Sequence, residues 1–132
     1  MIIEEAFQKE MLETAAITTL LVNRIYYVKA PIDAVTPYVV ISSVSDIPIK
    51  PNFSAASGES SARLQLSIFA STYSACKSIA SAIHTVFDGF KGTMATAGIA
   101  VGGCFLENEY DLSYEDSPLQ LYGVAVDYII HY

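Results

Sequence analysis

SARLQLSIFA, residues 61–70, sets Ala62, Leu64, Leu66, Ile68 and Ala70 in alternation with Arg63, Gln65 and Ser67. A period of two marks a strand with one face in a core and the other toward water. A half-buried sheet is therefore the frame into which the rest of the chain must fit. Just downstream, Ser71 or Thr72 supplies a helix cap, and Ile79, Ala80, Ile83, Val86 and Phe87 recur as an apolar stripe. The spacing predicts a helix to about residue 87, stopped by Gly89 and Gly92.

Upstream, Ile3, Phe7, Met11 and Leu12 predict an amphipathic helix over about 2–15, followed by a short turn carrying Ile17, Leu20 and Leu21. RIYYVKAP (24–31) and PYVVISSVS (37–45) are β-branched and aromatic runs, expected to be two strands joined by a short loop. DIPIKPNFSAASGES (46–60) is rich in proline and serine and favours neither helix nor ladder. It is expected to be an exposed loop, long enough to be a contact element, with Lys50, Asn52 and Phe53 as its candidate contact residues.

Toward the C-terminus, residues 98–112 read as a strand, with Gly102 and Gly103 marking a bulge or a close backbone approach. Pro118 breaks the chain. In LQLYGVAVDYIIHY (119–132), Tyr122, Val124, Val126, Tyr128, Ile130 and Tyr132 share one face, while Asp127 and His131 share the other with Leu119, Leu121, Ala125 and Ile129. Both faces carry apolar groups, which suits a sheet covered by helices on one side and in part by something else on the other. The expected fold is one α+β domain spanning 1–132, a mostly antiparallel β-sheet with two main α-helices packed on one face.

Composition narrows the function. Hydrophobic residues make up 52% of the 132 and charged residues 16%, the reverse of a disordered chain. Fourteen acidic residues against seven basic give a net charge of −7, which opposes a groove gripping nucleic-acid phosphates. Like charges repel, however, so duplex DNA passing close by without sticking is compatible with it. Cys76 and Cys104 match no disulfide framework or zinc spacing and are expected to be reduced packing residues. The first sixteen residues lack a signal-peptide pattern, and no apolar run reaches the roughly 18 residues of a membrane span. The expectation is a cytoplasmic, soluble product without membrane contact.

ENEYDLSYED, residues 107–116, concentrates Glu107, Glu109, Asp111, Glu115 and Asp116 around Tyr110 and Tyr114. On a continuous strand Glu107, Glu109 and Asp111 would lie on one face, spaced by two. A two-carboxylate hydrolase needs its acid and base to face one another across a substrate, and a calcium loop needs a turn glycine and a bidentate Glu twelve residues on. Neither pattern is present, so a solvated acidic edge is the simpler reading. His84 and His131 lack a Cys, Asp or second His at ligand spacing and read as surface or rim residues. No catalytic, metal-binding or cofactor-binding residue is assigned, and no enzyme activity is expected. Nine tyrosines exceed what packing alone asks for, leaving Tyr110, Tyr114 and Tyr122 between core and interface.

Taken together, RIYYVKAP (24–31), PYVVIS (37–42), the spacing of Arg63, Gln65, Phe69 and Ala70, TYSACKSIASAI (72–83) leading to FDGFKG (87–92), ENEYD (107–111) and the closing tyrosine-bearing strand resemble the tail completion, or tail-to-head joining, proteins of long-tailed bacteriophages and prophages. The resemblance implies an α+β virion protein working as a ring, typically of six copies, between the head connector and the tail tube, around the DNA path. A subunit that is a monomer in solution is compatible with such a ring. Related folds serve as tail terminators capping tube growth. A small acidic adaptor and a carboxylate-dependent hydrolase are the rival readings from other classes. On the joining reading, the residue 107–116 acids form a solvated strand end facing a lumen or a basic neighbour.

Overall fold

A computed structural model describes residues 2–48, 60–96, 98–112 and 121–132. Three helices and six strands follow in the order α1 (Ile3–Glu13), α2 (Ala15–Leu21), β1 (Ile25–Tyr27), β2 (Tyr38–Pro48), β3 (Ser60–Ala70), α3 (Tyr73–Phe87), β4 (Phe90–Met94), β5 (Ile99–Leu112) and β6 (Tyr122–His131). The strands form one curled sheet in the order β1-β2-β3-β6-β5-β4.

The expected mostly antiparallel sheet with two main helices is corrected in two respects. The sheet is mixed, because β1 pairs with β2 in parallel, Ile25 opposite Val39 and Tyr27 opposite Ile41. The two runs were expected to be joined by a short loop, but the chain instead crosses over through residues 28–37 before β2 begins. A connection of that length lets the second strand return in the direction of the first. The helices number three among the described residues. Thr14 ends α1 and starts α2 in an extended conformation, φ −99° and ψ 112°, so the turn expected at Ile17 to Leu21 is a separate seven-residue helix.

The alternation in β3 sorts the molecule into two sides. Ala62, Leu64, Leu66, Ile68 and Ala70 face the helices, with Ile130, Tyr128, Val126, Val124 and Tyr122 of β6 opposite them. Ile3, Phe7 and Met11 of α1, Ile17 and Leu21 of α2, and Ile79, Ile83 and Phe87 of α3 close over this face as one buried cluster. The rings of Phe7 and Phe87 stack at 3.9 Å between centroids, joining the first helix to the third. On the other side no helix lies over the sheet among the described residues. That open face carries Tyr26, Tyr38 and Phe69 in edge or tilted contact, with Arg63, Gln65 and Asp127 farther along.

Local signals place α3. Thr72 Oγ1 accepts the Ala75 N–H at 3.2 Å, and Gly89, at φ +83°, turns the chain out of the helix into β4. The Gly102–Gly103 pair lies where the β4–β5 register shifts, and a Cβ on Gly103 would stand 2.8 Å from the Phe105 ring. Cys76 and Cys104 are free and buried. Of the expected 46–60 loop, residues 46–48 continue β2 and Ser60 begins β3, while 49–59 lie outside the described residues. No described helix is long and apolar enough to cross a membrane.

Candidate functional site

The acidic run falls on the last part of β5, where the sheet has an uncovered edge. β6 pairs with β5 as far as Leu112, but β4 accompanies it only to Cys104. The Gly89 N–H donates to the Cys104 carbonyl at 2.7 Å, and Asp88 Oδ1 accepts the Leu106 N–H at 3.1 Å. Beyond those two caps, no strand pairs with the outer edge of residues 107–112 among the described residues. An edge of this kind presents backbone donors and acceptors to a neighbour, and charged side chains are the usual guard against indiscriminate pairing.

A register shift divides the carboxylates. Leu106 faces Tyr128 and Asn108 faces Asp127, so Glu107 is the extra residue of a β-bulge. Glu107 turns to the open face and forms an ion pair with Arg63 at 2.7 Å. Glu109 and Asp111, set opposite Val126 and Val124, turn to the helix side. There Lys77 of α3 stands 3.9 Å from Glu109 and 3.4 Å from Asp111, and the Tyr73 hydroxyl donates to Asp111 at 3.0 Å. The expectation of three acids on one face is thus replaced by one on the open face and two against α3. Three cations or potential cations, Arg63, Lys77 and His84, are brought to acids that have no base near them in sequence.

Desolvation is the largest single influence on Lys77 and works to lower its pKa, but the Tyr73 hydroxyl, Glu109 and Asp111 together outweigh it and hold the ammonium above its ordinary value. These pairs are largely solvated and tether α3 to β5 weakly. His84 is half-buried. Its Nδ1 shares a hydrogen bond with the Tyr128 hydroxyl, and its Nε2 lies 3.5 Å from Glu109. Burial pushes the Tyr128 hydroxyl far above the usual range, and its ring is fully enclosed in the core. The Tyr128–His84 hydrogen bond therefore satisfies a buried phenol to which no substrate has access, while His84 Nε2 is itself buried and makes no hydrogen bond.

On the open face Tyr110 is 41% exposed and bonds to Gln65. Asp127 lies between Gln65 and Asn108, with Oδ1 shut off from solvent and without a hydrogen-bond partner. Desolvation raises its pKa, Arg63 opposes the rise, and Glu107 adds to it. Neither the His84 link nor Asp127 was singled out as functional from sequence. His84 and Tyr128 are 44 positions apart, and only their placement on facing elements joins them. Among the described residues no group of three metal-ligating side chains gathers. Tyr122 is half exposed, its ring edge toward Tyr73. The remaining candidates, Tyr114, Glu115, Asp116, Lys50, Asn52 and Phe53, lie outside the described residues.

A small domain with a guarded strand edge and one face free of helices has the form of an assembly subunit. Its fold is shared with a chain from the virion of a native gene transfer agent particle, at TM-score 0.70 and 11% identity, covering 98% of this chain and 92% of that one. No curated protein sequence matches significantly. The family model described as "Tail completion protein gp17" matches residues 5–132. The chain belongs to that family of phage tail completion proteins, as the resemblance across residues 24–132 implied, and is a virion structural protein.

Proposed function

We propose that this protein forms a ring, the hexamer its resemblance implies, at the head–tail interface, where it joins or completes the tail and lets DNA pass. The observation that carries the reading is the uncovered end of β5, an acid-bearing strand edge in a chain of this family. A cyclic ring needs two different surfaces per subunit, one meeting the other on the next copy. An unpaired edge with matched charges on each side is such a surface.

On this reading the subunit is made in the host cytoplasm, meets the head connector proteins on one side and the tail tube protein on the other, and acts without catalysis. Duplex DNA carries one charge per roughly 1.7 Å of axis. A chain of net charge −7 lining its path repels it and leaves it free to move. The single domain over 1–132, the 46–60 contact loop with Lys50, Asn52 and Phe53, and the interface roles of Tyr110 and Tyr114 belong to the same proposal.

An early stop codon in the gene, read by negative-stain electron microscopy of the lysate, tests it. Filled heads beside unattached tails of normal length are the expected outcome. Overlong tubes would instead assign the protein to capping tube growth, and intact infectious particles would refute both roles. Replacing Glu107, Glu109, Asp111, Glu115 and Asp116 with Gln or Asn should leave the chain folded and change assembly or DNA retention; unchanged infectivity would remove the acids from the mechanism.

A further inference from the structure

Two valines frame β1 in a backbone conformation that valine rarely takes. Val22, shortly before the strand, has φ +58° and ψ −107°, and Val28, directly after it, has φ +64°. Both side chains are exposed, so neither conformation is imposed by packing of the valine itself. A β-branched residue at positive φ is strained, and such strain persists only where neighbouring contacts hold it. The contacts on β1 are few. The Val39 N–H donates to the Arg24 carbonyl at 3.0 Å, the Val28 N–H to the Ile41 carbonyl at 2.8 Å, and Gln8 Nε2 to the Ile25 carbonyl at 2.9 Å. The Tyr27 hydroxyl meets Gln8 Oε1, and Ile25 is the one buried side chain of the strand.

β1 also ends the sheet, against β2 alone. It covers only Val39–Ile41, while β2 runs on to Pro48, and among the described residues no strand lies along the outer edge beyond Ile41. At the far end Asp46 and Pro48 guard that edge, as charge and proline commonly do. At the near end, where Val39 and Ile41 are apolar, the guard is β1 itself. We propose that β1 is a spring-loaded strap: strain at Val22 and Val28 biases it to open as a unit from an otherwise folded chain, and while closed it masks the edge of β2 from a second extended polypeptide. Opening relaxes both valines and bares one continuous edge from Val39 to Pro48. The burial of Ile25 in the core cluster opposes it and keeps the closed form in the majority. The device belongs to the single subunit and does not depend on the ring.

Hydrogen exchange of the full chain along a urea series tests it. The Val28 and Val39 amides, which donate across the two bonds between β1 and β2, should exchange at least about tenfold faster than the amides at the centre of the β3–β6 pairing, around Leu66 and Val126, and with little dependence on urea, the mark of a local opening. Val22→Gly combined with Val28→Gly should slow exchange at Val39 by about tenfold. Glycine also frees the open state, but by less than the strain it removes. Gln8→Ala takes away two of the contacts on β1 and should speed that exchange about fivefold. Self-association of the concentrated protein, read by sedimentation velocity, should rise in the order paired valine variant, wild type, Gln8→Ala. Val28 and Val39 amides that exchange only with global unfolding, or a paired valine variant that exchanges no more slowly than wild type, would overturn the strap. Faster exchange in Gln8→Ala with no gain in self-association would overturn the masking.

Discussion

Asp127 holds a proton more tightly in the folded chain than in the unfolded one, because its Oδ1 is cut off from water and unpartnered. An acid with a raised folded-state pKa loses stability as pH climbs from its ordinary value of 3.8 through the raised value, and that loss persists above it. Asp127→Asn should therefore melt higher than wild type at pH 7, with the gain shrinking toward pH 3. Equal melting points at pH 7 would mean that Arg63 fully compensates the burial. Removing the phenol oxygen by Tyr128→Phe leaves His84 Nδ1 without its partner and should cost about 1 kcal/mol in urea unfolding. Burial and then the charge of Asp88 push the Cys104 thiol up to about 12, so neither cysteine should react with iodoacetamide at pH 8 until the chain unfolds. The buried, reduced character of both cysteines was legible from their apolar neighbours. The roles of His84 and Asp127 were not, since each depends on residues that folding alone brings near.

Elements with a strong period were the easiest to read. The β3 alternation and the α3 stripe appear where expected, and the Thr72 cap holds the first turn of α3. Thr72→Ala should lower stability by about 1 kcal/mol, measured by chemical denaturation. Phe87→Ala opens the Phe7–Phe87 stack and should cost roughly 3–5 kcal/mol, a large share of a small domain's total. A drop below 1 kcal/mol would show that α1 can repack without α3. Short elements escaped the sequence reading for a physical reason. β4, Phe90–Met94, is mostly exposed, with a glycine at its centre, and carries no alternation; β1 has three residues and shows its parallel sense only through its partner. The α2 helix, at seven residues, spans too few turns for its period to stand out.

At the scale of the molecule, the fold puts its three described helices on one face and leaves the other, among the described residues, to aromatic and polar side chains. The sequence announced that asymmetry through apolar residues on both faces of β6, but it could not say which carboxylate belongs to which side. The bulge decides that. Pairing with β6 runs from Leu106 directly to Asn108, so Glu107 is a residue more than the ladder uses. Deleting it should leave Glu109 and Asp111 facing Lys77 and remove only the partner of Arg63, with the same fold seen by circular dichroism and a small fall in melting point. This strand thus carries one position of spare length, where a residue can be lost while every later side chain keeps its side of the sheet.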